Sequence, residues 1–99
     1  MINLLAETLE MLELCDKKES DVIQVQGLNY SISWQEFKER ARGINYDDGY
    51  GAVVINLFLR VIGDGWWFER HEYDGSEQWM WRTPPKLKPE GEVDLLRES

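Results

Sequence analysis

The single histidine, His71, stands in the run Glu69-Arg70-His71-Glu72-Tyr73. Its imidazole is the side chain best suited to move a proton near neutral pH. In an extended strand Glu69, His71 and Tyr73 point the same way, so a carboxylate, an imidazole and a phenol would share one surface. A general base needs more than this. It needs an orienting partner and a pocket that holds the substrate proton within hydrogen-bond reach. A flat sheet face supplies neither, so the residues predict no enzyme and no cofactor.

Other candidates for site chemistry are weaker. Asp47, Asp48 and Asp64 could offer oxygens to a hard cation. Neither of their loops has the alternating ligands or the closing bidentate Glu of a calcium loop, and they read as turn residues. Gly63-Asp64-Gly65 is not a phosphate loop, because no helix start or Lys follows it. Cys15 is the only cysteine, which excludes an intrachain disulfide. With one His beside it, a zinc site within one chain is not expected. Cys15 reads as a small, half-buried residue near a helix end.

Charge narrows the partners. The 99 residues carry 19 acids and 11 Lys and Arg, for a net charge of −8. Direct binding to nucleic acid is not expected, since phosphates must be met by Lys and Arg. A basic protein partner, or self-association, fits better. Glu7, Glu10 and Glu13, with Asp16 and Glu19, form an acidic stripe that reads either as a solvated helix face or as a mimic of phosphate charge. No apolar run approaches the ~20 residues of a membrane span, so no membrane partner is expected. The first residues lack a basic region before an apolar one, which predicts a cytoplasmic location.

Two helices and a sheet must position these groups. Residues 3–16 predict an amphipathic helix capped by Asn3, with Leu5, Leu9 and Leu12 at helical spacing. Residues 22–26 alternate as a strand, 27–29 turn, and 30–32 return as its partner. Ser33 and Glu36 have the spacing of a capping box that opens a helix over 34–42, with Trp34, Phe37 and Ala41 inward and Gly43 as the stop. Residues 45–51 read as a loop. Strands are predicted over 52–62, 66–73 and 77–83, with Pro84-Pro85 ending the last.

Sheet register follows from the turns. A Gly63-Asp64 turn pairs Val61 with Trp66 and Leu59 with Phe68. An Asp74-Gly75 turn pairs Phe68 with Trp81 and Arg70 with Trp79. One face then carries Val53, Ile55, Leu57, Leu59, Val61, Trp66, Phe68, Trp79 and Trp81, with Arg70 near one end. This face needs the helices as cover. The opposite face carries Phe58, Arg60, Trp67, His71, Tyr73, Met80 and Arg82, together with Glu69. A cation–π stack of Arg60 or Arg82 on Trp67 is available there. Exposed aromatics rimmed by Arg and Glu are the usual make-up of a protein-binding hot spot, and these seven residues form the candidate site. The blander reading is that other chain, or a second protomer, covers Trp67 structurally.

The fold class predicted is α+β: an antiparallel sheet of three to five strands, two amphipathic helices on one face, in the order α-β-β-α-β-β-β. Residues 1–85 form one domain, and 86–99 a polar tail in which Val93, Leu95 and Leu96 could dock a short turn of helix.

The strings Ile32-Ser-Trp-Gln-Glu-Phe37, Asn45-Tyr-Asp-Asp-Gly-Tyr-Gly51 and Val61-Ile-Gly-Asp-Gly-Trp-Trp-Phe-Glu-Arg-His-Glu-Tyr-Asp-Gly-Ser-Glu77 resemble small proteins of phages, prophages and other mobile elements of Gram-positive bacteria. The resemblance spans roughly residues 4–85. That group has no assigned function, so no site residue carries over. What it implies is a small accessory protein in a bacterial cell, aimed at a host or rival system.

Overall fold

In the computed structural model, which describes residues 1–47, 54–73 and 75–91, Asn3 opens the first helix. Its Oδ1 accepts the Ala6 N–H at 3.0 Å, satisfying a donor that the first turn leaves free. This helix, α1, spans Leu4–Leu14 and buries Leu4, Thr8 and Leu12. The buried stripe is therefore rotated from the expected Leu5-Leu9-Leu12, and Leu9 is exposed at the helix edge. Thr8 explains the rotation. Its Oγ1 donates to the Leu4 carbonyl at 2.7 Å and accepts the Trp79 indole N–H at 2.9 Å, so a polar residue can occupy the centre of the buried stripe.

Residues Ile2–Asn3 form a short strand, β1, paired antiparallel with β4, Asn45–Tyr46. The expected loop over 45–51 thus begins as a strand; its residues 48–51 lie outside the described residues. The second helix, α2, spans Trp34–Ala41 and stops before Gly43. Ser33 Oγ accepts the Glu36 N–H at 3.1 Å, the forward half of the capping box. The Glu36 carboxylate turns to Arg40 four residues on, at 2.9 Å. Phe37 and Ala41 are buried, and Trp34 stacks on Phe37.

The main sheet has five antiparallel strands: β2 (Val22–Gln26), β3 (Ser31–Ile32), β5 (Arg60–Gly63), β6 (Trp66–Tyr73) and β7 (Ser76–Arg82). Their spatial order is β3-β2-β5-β6-β7, so the last three form a meander. The fold is α+β, as expected, with both helices contributing to one core on one face of the sheet.

The second hairpin has the expected register, with Phe68 opposite Trp81, Arg70 opposite Trp79, and Tyr73 opposite Ser76. The first does not. Its turn is Asp64-Gly65, which sets Gly63 opposite Trp66 and Val61 opposite Phe68, so the partner is displaced by two residues from the expected one. Because side chains alternate with a period of two, this displacement leaves every residue on its expected face. Gly65 has a φ of +80°, which an Asp-Gly turn supplies and a Gly-Asp turn does not. Gly63 is then free to lie under the Trp66 indole, in space a Cβ would need.

The strand expected over 52–62 is corrected to Arg60–Gly63. Ala52 and Val53 lie outside the described residues, and 54–59 is irregular. Two side chains take the backbone groups that a strand would have shared with a neighbour. Asn56 Oδ1 accepts the Phe58 N–H at 2.8 Å, and the Glu77 carboxylate accepts the N–H groups of Val54 and Ile55 at 2.8 and 2.9 Å. Ile55 and Leu59 still reach the core, whereas Leu57 is exposed rather than on the apolar face.

Val25, Val61, Trp66, Phe68 and Trp79 form the sheet side of the core; Leu4, Leu12, Phe37 and Ala41 form the helix side. Trp81, expected in the core, is half-buried. Its ring stacks on Trp66 at 5.5 Å, with Lys17 lying over both. Residues 83–91 have no regular structure and are exposed; Val93, Leu95 and Leu96 lie outside the described residues.

The two turn glycines should fail differently on substitution. Gly65→Ala meets open space but a strained backbone, and is expected to cost about 1 kcal/mol in urea unfolding. Gly63→Ala collides with the Trp66 ring and is expected to cost more, about 2–3 kcal/mol.

Candidate functional site

Strand pairing lays out the uncovered face of the sheet row by row. Gln24, Ile62, Trp67 and Arg82 stand side by side across four strands. The next row is Gln26, Arg60, Glu69 and Met80. His71 opposite Gln78, then Tyr73 opposite Ser76, continue toward the hairpin tip.

The structure brings together Arg60, Trp67, Met80 and Arg82 from the candidate set. Trp67 is half-buried and donates its indole N–H to Glu69 Oε1 at 2.7 Å. Arg82 approaches the same carboxylate at 3.6 Å. The indole hydrogen bond, with the Arg82 and Arg60 guanidinium groups nearby, holds the Glu69 carboxyl below the usual carboxylate range. The arginines therefore meet Glu69 rather than stacking on Trp67, and the cation–π contacts recorded among the described residues lie on the core face.

The other candidates stand apart from this cluster. Tyr73 is 75% exposed at the tip, about 20 Å along the strand from Trp67 at the usual rise per residue. His71 is exposed between them. Phe58 is not on a strand; it is 56% exposed. With Gln26, Gly27, Leu28 and Arg60 it lines a depression of about 220 Å³ at one end of the face. Ile62, Gln24 and Leu28 were not among the expected site residues. Ile62 was legible, because it lies two residues from Arg60 and so shares its face in either register.

The core face holds a second constellation that the sequence reading had split up. Arg70, expected near one end of the apolar face, lies deep within it with its side chain 1% exposed. Its Nη1 donates to Glu7 Oε1 at 3.3 Å, its Nη2 donates to Tyr46 Oη at 3.0 Å, and Glu77 Oε1 lies at 3.7 Å. Tyr46 donates to the same Glu7 oxygen at 2.6 Å. The guanidinium also lies over the Tyr46 and Trp79 rings, at 5.6 and 4.7 Å. Glu7 thus leaves the acidic stripe to which it was assigned; its side chain is 17% exposed.

Burial and the neighbouring Glu7 carboxylate push the Tyr46 phenol up to about 12. A phenol so held stays protonated and acts as a structural donor. Burial likewise pushes the Cys15 thiol up, away from the thiolate that would make it reactive. Among the described residues, no group of three or more His, Cys, Asp or Glu could hold a metal ion. Asp48 lies outside them. No described helix is long and apolar enough to cross a membrane. No family model, curated protein or solved structure matches this chain.

Arg70→Met should leave Glu7 and Glu77 without their shared cation and lower unfolding free energy by about 3–5 kcal/mol. The raised Tyr46 pKa has a definite sign in linkage. The folded state holds this proton more tightly than the unfolded chain, so its stabilisation is complete below pH ~10 and is lost as pH rises toward about 12. The melting temperature should fall across that window, and Tyr46→Phe should show a shallower fall.

Proposed function

We propose that this chain is a non-enzymatic protein-binding module of a phage, prophage or other mobile element, and that it docks its partner on the open face of the sheet. The observation that carries the reading is that no described element covers this face, although it presents Ile62, Trp67 and Met80 within a rim of Arg60, Glu69 and Arg82. A tryptophan with a flexible methionine beside it and arginines around it supplies the large contact area and polar rim of an interface hot spot. Phe58 and Leu28 extend the apolar area at one end. A net charge of −8 favours a basic partner.

The setting, a small accessory protein acting in the bacterial cytoplasm on a host or rival system, rests on the resemblance of residues 4–85 to mobile-element proteins. The non-enzymatic reading rests on His71, which is exposed on a pleated surface opposite Gln78. Mimicry of nucleic acid by the α1 glutamates is the weaker reading, because Glu7 is tied to Arg70 and Tyr46, leaving Glu10 and Glu13 as the exposed glutamates of α1.

Partners captured from the host and identified by mass spectrometry can then be titrated against variants. Trp67→Ala is expected to weaken binding by about 2 kcal/mol or more. Glu10→Ala with Glu13→Ala should change it little, and affinity should vary little from low to moderate salt. Binding that ignores Trp67→Ala but falls steeply with salt contradicts the reading. So does a Trp67→Ala variant that loses several kcal/mol of stability yet binds normally.

A further inference from the structure

The net charge of −8 is unevenly laid over the molecule. The helices, with Glu10, Glu13, Glu36 and Glu39, lie behind the sheet. Among the described strand residues of the open face, the one acid is Glu69, against Arg60 and Arg82.

The apolar part of this face is also wider than the paired rows show. A bulge separates Val22 from Gln24, so Ile23 and Gln24 together stand opposite Ile62. Val22 packs on the core, whereas Ile23 is 62% exposed. The bulge thereby adds Ile23 to Ile62 and Trp67 in one band across β2, β5 and β6, with Met80 beside it on β7. An antiparallel sheet with one solvated face alternates apolar inward and polar outward. This band breaks that alternation at the middle of the sheet, as faces that become covered do.

We infer that a second copy of the chain covers this face in the free protein, sheet against sheet about a two-fold axis. The inference rests on the reading of the open face as a docking surface and names its occupant. A two-fold contact sets the same patch of both copies together, so it needs a patch that carries both signs. Arg60 is exposed and closes no ion pair among the described residues, which leaves it free to meet Glu69 of the second copy. The acids of the helices are turned away from such a contact. At ~4.8 Å between strands and ~3.4 Å per residue, the strands present a flat area of about 400 Å², half of the ~800 Å² per partner in a standard interface. A contact of that size gives a dimer that dissociates on dilution.

Sedimentation of the full chain from micromolar to millimolar concentration is the test, at moderate salt so that repulsion between like-charged copies is screened. The mass is expected to rise from 11.7 kDa toward twice that value. Trp67→Ala and Ile23→Lys should each weaken association about tenfold or more. Ile23 is exposed, so its replacement leaves folding intact. A chain that stays at its monomer mass throughout overturns the inference. So does a dimer that neither variant weakens, which places the second copy elsewhere. The reading of a host protein docked here fails separately. It stands if a captured host protein loses affinity on Trp67→Ala, whatever the mass of the free chain. It falls, and the dimer is upheld, if both variants lose the dimer while the host protein binds them as it binds the native chain.

Discussion

A guanidinium inside an aromatic core needs partners, and distant segments of this structure supply them at Nη1 and Nη2 of Arg70, while its buried Nε has no hydrogen-bond partner among the described residues. Removing a cation from water costs several kcal/mol, recovered only when the geometry brings charge and hydrogen bonds to it. Arg70 receives Glu7 from α1, Tyr46 from β4 and Glu77 from the neighbouring strand. Those three come from segments far apart in the sequence. They converge only when α1 is seated on the sheet, β4 is paired with β1, and the second hairpin is closed in register. Glu77 extends the constraint, since its two oxygens also hold the N–H groups of Val54 and Ile55 and so fix the segment that leads into β5. Thr8 does the same for Trp79 on the helix side.

This arrangement divides the molecule's chemistry. On the core face, the acids and the phenol closest to Arg70 are engaged with it, and the Tyr46 phenol is held protonated. Groups that could meet a partner are left on the other side of the sheet. There Glu69 gathers the Trp67 indole and Arg82, which presents the indole with its N–H satisfied and its ring available for contact. An aromatic held in this way would lose little side-chain freedom in any contact it made.

Much of the sheet was legible because two turn signals and a period of two suffice to assign faces. The Asp74-Gly75 turn fixed the second hairpin residue by residue. The first hairpin was displaced by two because Gly63-Asp64 and Asp64-Gly65 compete as turns, and only the packing of Trp66 over Gly63 separates them. The strand over 52–62 was misread for another reason. Alternating apolar residues imply a strand only if their backbone groups find strand partners, and here a side chain 22 residues or more away, Glu77, takes two of them. Glu7 and Tyr46 were assigned to solvent and loop because polarity alone places them there. Their partner is distant in sequence, and a buried ion network leaves no local periodicity. The Leu5-Leu9-Leu12 stripe missed by one helix position for the same cause, since Thr8 counts as polar until Trp79 is known to lie above it.

The central claim is that Arg70 is a structural tie between α1 and the sheet, with its charge committed to Glu7. A double-mutant cycle of Glu7→Gln and Arg70→Met, followed by chemical denaturation, tests it most directly. The account gives a coupling of about 1–3 kcal/mol, as for residues sharing one hydrogen-bonded network. Effects that add to within about 0.5 kcal/mol would contradict it. Arg70 would then be a guanidinium that the fold does not need, and the core face, rather than the open one, would be the place to look for function.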